Sequence, residues 1–300
     1  MNVIERKTPF FVIRFITTAF QRIGKSSIEA AIQGDFRPLR KLLDTYGGVG
    51  IPGVKIEDDS IGNLKSQWFI PKSVKDDTIV MYCHGGGFCA GSTSSHKHMA
   101  SLFAKNIKRK LLVFDYRLAP EHAYPAQIDD GLRVYLELLK SHPPHNIVFA
   151  GDSSGGGMVL ALSQRIRDEK LSLPKAIVAI CPWFDYEVKL AQQSDIEDPG
   201  LPIELIQSFS KNVFQNNTQR KYSPKYTSFE NLPPINLLIG GADTLYAENT
   251  ELGNILIKEN EGCQIERWED MPHVWQSLHP FLLEANKSAK YIAEFIDRQT

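Results

Sequence analysis

The chain has 300 residues, of which 42% are hydrophobic and 23% are charged, and its formal net charge is -1. These values are ordinary for a globular protein and exclude the disordered and fibrous classes. A charge so close to zero creates no field that attracts nucleic acid, so we expect no nucleic-acid partner.

The start of the chain and its cysteines bear on where the protein resides. The apolar run at 10–20 is interrupted by Arg14 and is shorter than the roughly 20 residues that a membrane span needs, so we expect an amphipathic helix without stable membrane insertion. No cleavable signal pattern precedes it. The four cysteines lack C-x-x-C spacing, which favours free thiols and a cytoplasmic location.

From residue 78 to the end, short β-branched runs alternate with helical segments. We predict an antiparallel strand at 66–70, then buried strands at 78–83, 111–115, 147–150, 176–181, 235–239 and 264–268. Helical segments between and after them are predicted at 94–105, 126–140, 158–170, 246–259 and 280–297. This alternation predicts an α/β fold, with a mostly parallel sheet and helices on both faces.

Two stretches interrupt the alternation. Residues 1 to about 50 have the pattern of two or three helices without an intervening strand, and residues from about 187 to 216 insert a polar, helix-prone segment. Neither stretch is large enough for a core of its own, so we predict one domain over residues 1–300. The two stretches would form a helical lid over the carboxyl ends of the strands. The alternative is an N-terminal arm that makes a homodimer.

A glycine-flanked serine follows the predicted strand at 147–150. The sequence Gly151-Asp152-Ser153-Ser154-Gly155 leads from that strand into the predicted helix at 158–170. A sharp turn of this kind strains the backbone of the serine and needs small flanking residues, and it would present the Ser153 hydroxyl above the sheet edge. The Ser154 N–H would face the same space at the positive end of the helix. The pattern predicts a site for acyl transfer.

A glycine run, His84-Gly85-Gly86-Gly87-Phe88, directly follows the strand at 78–83. Consecutive glycines let backbone N–H groups converge on one point, as an oxyanion hole requires. The run precedes the serine turn in the order that α/β hydrolases use for their second oxyanion element. A tight glycine loop without a ligand is the alternative, and the nearby serine motif weakens it.

Three motifs together resemble those of the hormone-sensitive-lipase family of α/β-hydrolase esterases. They are the glycine run at 84–88, the run from Asp115 to His122 with Tyr124-Pro125-Ala126, and the serine motif at 151–156. The resemblance extends over about 79–275. It implies a helical cap built from the N-terminal segment and from an insertion after the strand that follows the serine. It also implies that the N–H groups of Gly86, Gly87 and Ser154 hold the oxyanion.

A serine nucleophile needs a base within hydrogen-bond reach, and an acid must orient that base. Only His273 and His279 follow Ser153 in the sequence. His273 lies in a loop just after the last predicted strand, whereas His279 lies at the start of the terminal helix. We therefore predict His273 as the base.

The predicted acid is Asp243, in the loop after the strand at 235–239 and so at the same sheet edge. An aspartate followed by a small residue and a leucine also matches the family motif. Asp270 is the rival, but it lies near the wrong end of its loop, and Asp195 and Asp198 lie in the presumed lid. The family often continues with arginine, aspartate and glutamate where this chain has Tyr246-Ala247-Glu248. That difference leaves the triad intact and puts a neighbouring ion pair in doubt.

Other polar residues near these motifs have supporting roles in our interpretation. Asp115 and Arg117 would pair with side chains or cap backbone groups, and Asp152 would brace the glycine run. The sequence His96-Lys97-His98 is interpreted as a solvated helix start, because histidines two apart on a helix point to different sides. No metal site is expected.

The motifs together predict a serine carboxylesterase that hydrolyses small hydrophobic esters of short to medium acyl chain, without a cofactor. Phe88, Trp183 and Phe184 are predicted to line a hydrophobic substrate pocket. One alternative is a non-catalytic small-molecule receptor on the same fold, although the presence of His273 argues against it. An amidase or an acyltransferase with the same triad is another, because the pocket walls select the acceptor.

Overall fold

The computed structural model describes residues 3–7, 22–196, 198–215 and 223–299. The strands are β1 (Val3–Arg6), β2 (Val54–Ile61), β3 (Leu64–Pro71), β4 (Ile79–Cys83), β5 (Lys110–Phe114), β6 (Ile147–Asp152), β7 (Ala176–Ile180), β8 (Ile235–Gly240) and β9 (Gln264–Trp268). The helices are α1 (22–32), α2 (Arg37–Gly47), α3 (Lys97–Ile107), α4 (Ala126–Leu138), α5 (Ser154–Asp168), α6 (Ile203–Val213), α7 (Tyr246–Glu259) and α8 (Leu283–Asp297).

All nine strands belong to one sheet, in the order β1-β9-β8-β7-β6-β4-β5-β3-β2. Neighbouring strands from β1 to β5 in this order are parallel, while β3 and β2 continue the sheet in antiparallel fashion. The predicted α/β fold with a mostly parallel sheet is therefore confirmed. Parallel strands that are buried on both faces explain why the sequence shows continuous apolar runs here.

The strands β1 and β2 were not predicted from the sequence, and each lies at an edge of the sheet. β1 pairs only with β9, through Val3 opposite Ile265, so the expectation of no strand within residues 1–50 is wrong. Its residues are half-buried or exposed, and β2 carries charged residues along much of its length. An edge strand buries little surface and needs no alternating apolar pattern, which is why neither strand was visible in the sequence.

Each face of the sheet carries its own layer of core side chains. Along β4, Ile79, Met81 and Cys83 join one hydrophobic cluster, while Val80 and Tyr82 join the other. Apolar residues of α4, α5 and α7 pack in the first cluster, and those of α3 and α8 pack in the second. This two-sided packing holds the strand ends rigid, so the loops that leave them are placed precisely enough to form a site.

The two irregular stretches pack against each other and against the body of the domain. Phe36 stacks on Phe209 of α6 with ring centroids 5.7 Å apart, and the Ser208 hydroxyl donates to the Ala31 carbonyl. On α2, Arg40 donates to two backbone carbonyls beyond the glycine run, Cys89 and Ala119. Within the described residues, no helix is both long and apolar enough to cross a membrane.

Candidate active site

Ser153 sits at the junction between β6 and α5 with φ 54° and ψ -123°. This conformation is strained for a residue with a side chain. The flanking glycines allow it: a Cβ on Gly155 would lie 2.0 Å from the Cys83 carbonyl oxygen, and one on Gly151 would lie 2.4 Å from the Gly155 oxygen. The chain therefore turns here in the way the glycine-flanked serine predicts, and Ser153 lines a cavity.

The glycine run lies beside this turn, and it also lines the cavity. Gly86 and Gly87 have φ of 116° and 63°, values that favour glycine. Among the described residues, none accepts a hydrogen bond from the N–H of either glycine. The loop is fastened to α5 because the Phe88 N–H donates to Ser154 Oγ, at 3.2 Å. Unused donors in a fixed loop suit a developing negative charge.

Asp152 braces the glycine run from below, as the sequence analysis expected. Its Oδ1 accepts from the Tyr82 hydroxyl at 2.8 Å and from the Gly85 N–H at 3.1 Å, and His96 Nε2 lies 3.2 Å away. Burial alone would raise the pKa of Asp152, but His96 and the Tyr82 hydrogen bond outweigh it and lower that pKa. His96 is thus a buried partner of Asp152, and its interpretation as part of a solvated helix start is wrong.

Asp243 and His273 meet at the carboxyl ends of β8 and β9. His273 Nδ1 lies 2.9 Å from Asp243 Oδ2, and Asp243 is fully buried. The two loops are joined by a hydrogen bond from the Ala242 N–H to the Met271 carbonyl. His273 Nε2 is buried and has no hydrogen-bond partner among the described residues. Burial lowers the pKa of His273, but the nearby carboxylates, Asp243 first, raise it above the usual value.

The two rivals from the sequence analysis take other positions. His279 lies outside this pair: its Nδ1 is 2.9 Å from Nε2 of His98 on α3. The carboxylate hydrogen-bonded to the His273 ring belongs to Asp243 and not to Asp270. Asp115 accepts from the Thr93 N–H, and Arg117 pairs with Asp130, so both support the scaffold as expected.

Two residues near His273 were not identified from the sequence. Asp198, assigned to the lid, accepts a hydrogen bond from the His273 backbone N–H at 2.5 Å. Cys181 follows β7, and its sulfur, a carboxylate oxygen of Asp243 and a ring nitrogen of His273 lie within 4.8 Å of one another. Burial, and then the charge of Asp243, raise the pKa of the Cys181 thiol well above its usual value. No sequence motif marks either residue, because their roles arise only from loop packing.

The cavity above these loops has a volume of about 700 Å³. Besides Ser153, His273 and the glycine run, its lining includes residues from both irregular stretches. Apolar side chains dominate the wall, among them Leu39, Leu42, Leu43, Met99, Leu201, Leu205, Phe209 and Val274. A concave, mostly apolar cavity with a few convergent polar groups is the usual form of a small-molecule site.

The three aromatic residues predicted for the pocket wall lie elsewhere. Phe88, Trp183 and Phe184 are no more than 2% exposed, and the cavity lining does not include them. Phe88 and Trp183 instead pack with Tyr124, Tyr186 and Phe214 in an aromatic cluster of the core. The expectation that they line the pocket does not hold for this cavity. Burial of a large aromatic ring stabilises the fold most when the ring is fully shielded from water. Rings in short loops next to strands are therefore packed into the core.

Comparisons with known proteins agree with the fold. A family model described as alpha/beta hydrolase fold matches residues 80–277. An acetyl-hydrolase of Streptomyces hygroscopicus is 27% identical over 276 residues, which cover 89% of this chain and 91% of that protein. The esterase LipU of Mycobacterium tuberculosis is 30% identical over 234 residues, 74% of this chain and 78% of that protein.

Among solved structures, an esterase from the bacterial hormone-sensitive lipase family matches with a TM-score of 0.86 and 28% sequence identity. The match covers 97% of this chain and 99% of that one. The family model, the relatives and the solved structures therefore agree. The chain belongs to the alpha/beta hydrolase fold family and, within it, to the hormone-sensitive-lipase group of carboxylic ester hydrolases.

Proposed function

We propose that the protein is a serine carboxylesterase that hydrolyses esters of short to medium acyl chain through an acyl-enzyme. In this proposal Ser153 is the nucleophile, His273 is the general base and Asp243 orients His273. The observation that carries it is the 2.9 Å contact between His273 Nδ1 and Asp243, together with a buried Nε2 that has no partner among the described residues. Ser153 and His273 line the same cavity.

The acylation step depends on which ring nitrogen of His273, Nδ1 or Nε2, holds the proton. Because Nδ1–H donates to Asp243, Nε2 carries the lone pair and takes the proton as Ser153 Oγ attacks the ester carbonyl carbon. The carbonyl electron pair moves onto oxygen, which would face the N–H groups of Gly86, Gly87 and Ser154. When that pair returns, the ester C–O bond breaks and the leaving alkoxide takes the proton from Nε2.

Deacylation repeats the steps with water. The oxygen of a water molecule attacks the acyl carbon while His273 Nε2 takes a proton from that water. The bond between the acyl carbon and Ser153 Oγ then breaks, and Oγ recovers the proton from Nε2. One ester and one water give one carboxylic acid and one alcohol. The residues named here are sufficient for this balance, so the reaction needs no cofactor.

The cavity wall supports the substrate class. Its apolar side chains favour an uncharged acyl chain over a phosphate or a sugar, and about 700 Å³ suits a small ester. Residues of α1, α2 and α6 contribute to the wall, and α6 packs on Phe36. This placement supports a helical cap drawn from the stretches of about 1–50 and about 187–216 within a single domain. Within the first stretch, β1 belongs to the sheet, and the helix predicted at 10–20 lies outside the described residues.

Turnover of p-nitrophenyl esters of increasing acyl length tests the proposal. We expect butyrate and hexanoate esters to be cleaved faster than palmitate, since a long chain exceeds the cavity. The variant Ser153→Ala should lose at least about 10³-fold in kcat, because the nucleophile is absent. The exposed Ser172 provides the matched control, and Ser172→Ala should retain wild-type rates.

Labelling with a fluorophosphonate, followed by peptide mass spectrometry, identifies the nucleophile directly. Stoichiometric label on the peptide that carries Ser153 is the expected result. Label on another residue, or equal ester turnover by wild type and Ser153→Ala, would contradict the assignment. Ligand binding without turnover by the wild type would favour the receptor alternative.

A further inference from the structure

We propose that Asp198 is a positioning residue for His273, so that the segment inserted after β7 takes part in setting the geometry and charge of the base. The inference rests on the proposed function, in which His273 is the general base. Asp198 lies between the 3-10 turn Ala191–Gln193 and α6, outside every motif of the family resemblance.

The contacts of Asp198 join three loops. Its Oδ2 accepts from the His273 N–H at 2.5 Å, and its Oδ1 accepts from the Gly200 N–H at 2.9 Å. Its own N–H donates to Thr244 Oγ1 at 3.1 Å, and that hydroxyl donates to the Leu201 carbonyl. Because Thr244 is next to Asp243, the inserted segment is bonded to the loops of both the proposed acid and the proposed base.

The charge environment of Asp198 is unusual for a residue with only a structural task. Asp198 is 3% exposed, and among the described residues no lysine or arginine forms an ion pair with it. Burial and the charge of Asp243 raise the pKa of Asp198 to about 6, while the His273 N–H and imidazole oppose that rise. The ionisable groups facing His273 are Asp243, Asp198, Asp152 and the Cys181 thiol.

The raised pKa has a consequence for stability. Since the folded-state pKa lies above the usual 3.8, the stabilising contribution of Asp198 is fully present below about pH 3.8 and is lost as pH rises through about 6. At pH 8 the ionised carboxylate therefore destabilises the fold. Replacement by an amide would remove this pH dependence and keep the bond from the His273 N–H, because the amide oxygen still accepts and carries no charge.

The replacement Asp198→Asn tests the charge, because the amide oxygen still accepts from the His273 N–H, while the bond from the Gly200 N–H is lost. Asp198→Ala removes both the charge and the bond. Asp195 lies three residues earlier and is exposed, so Asp195→Asn is a matched control for charge removal in the same segment. The pKa of His273 is read by NMR of protein with ¹⁵N-labelled histidine, with His273→Gln to assign its signals.

For Asp198→Asn we expect the His273 pKa to fall by about one unit, since a neighbouring carboxylate stabilises the imidazolium. The acidic limb of kcat/KM should move to lower pH by the same amount. Asp198→Ala should in addition lose about tenfold or more in plateau kcat, because the His273 loop is no longer held. Asp195→Asn should match the wild type in the His273 pKa, the acidic limb of kcat/KM and the plateau kcat.

An unchanged His273 pKa in Asp198→Asn would overturn the proposal, as would a plateau kcat in Asp198→Ala equal to that of Asp195→Asn. The NMR titration needs no turnover, so it separates this result from a failure of the proposed esterase function. If Asp198→Ala does not fold, the asparagine variant by itself decides the question.

Discussion

Ser153 depends on its neighbours for the position of its hydroxyl. A positive φ is tolerable there only because the two flanking glycines leave room for the carbonyls of Cys83 and Gly155. His273 depends on its neighbours in another way, since carboxylates around it offset the effect of burial on its pKa. At the scale of single residues, the candidate site therefore depends on a backbone constraint at Ser153 and on the charges around His273.

The raised pKa of His273 predicts how activity depends on pH. His273, as the proposed base, must be neutral to accept a proton, so kcat/KM should rise with pH through a pKa above the usual 6.5. A profile measured with p-nitrophenyl butyrate checks this. An acidic limb centred below 6.5 would show that burial, and not the carboxylates, controls the imidazole.

Asp243→Asn should lower kcat by about 10³–10⁴-fold, because an amide no longer fixes the Nδ1–H tautomer. The acidic limb should also move to lower pH, since the largest source of negative charge beside His273 is gone. The matched control is Asp270→Asn, the rival aspartate from the sequence. Equal losses in both variants would contradict the assignment of Asp243.

At the scale of elements, the site is built by loops at the carboxyl ends of β4, β6, β8 and β9. The inserted segment meets these loops through α6, where the Phe209 ring occupies the space beside Gly87. A Cβ on Gly87 would lie 2.2 Å from that ring. The absence of a side chain at Gly87 thus allows α6 to approach the glycine run. Glycine is therefore needed at Gly87 for two reasons: the positive φ and the closeness of the Phe209 ring.

Gly87→Ala tests this approach. The added methyl collides with Phe209 and disfavours the φ of 63°, so we expect at least about a tenfold loss of kcat/KM. The control is Gly53→Ala, which has a φ of 93° and no atom within 4 Å of its Cβ. That variant should lose about 1–2 kcal/mol in free energy of unfolding from the backbone alone and retain kcat/KM.

Adding Phe209→Ala to Gly87→Ala separates the collision from the backbone strain. The double variant should recover part of the lost kcat/KM, because the methyl then has room. No recovery would indicate that α6 does not restrict the glycine run.

At the scale of the whole molecule, the fold retains buried carboxylates that link distant segments. Glu248, on α7, is fully buried and its Oε1 accepts from the Phe184 N–H at 2.9 Å. Burial is the main cause that raises the pKa of Glu248 well above its usual value. In the Tyr246-Ala247-Glu248 sequence, Glu248 stands where the family pattern also has glutamate, and here it fastens the loop after β7.

Glu248→Gln should make thermal stability less dependent on pH. Because the folded-state pKa is raised, the contribution of Glu248 is present below about pH 4.5 and is lost as pH rises through the folded-state value. The difference in melting temperature, variant minus wild type, should therefore be more positive at pH 8 than at pH 5, as measured by circular dichroism. Glu251→Gln, exposed on the same helix, should show no such pH-dependent difference. A Glu248→Gln variant destabilised equally at both pH values would contradict this account.

The sequence by itself determined the α/β class, the central strands and the residues proposed for the reaction. Buried parallel strands need continuous apolar runs, and a strained serine turn needs glycines at fixed positions, so both leave local patterns that can be recognised. The pairing of Asp243 with His273 was also predictable, because both follow strands of one parallel sheet.

Only the tertiary structure decided the edge strands, the cavity wall and the residues around His273. β1 and β2 pair at the edges and need no apolar pattern, while Phe88, Trp183 and Phe184 turned into the core instead of the cavity. Asp198 and His96 bond to groups far away in sequence, 75 and 56 residues from their partners. Such contacts depend on how loops pack against each other, and no short stretch of sequence carries that information.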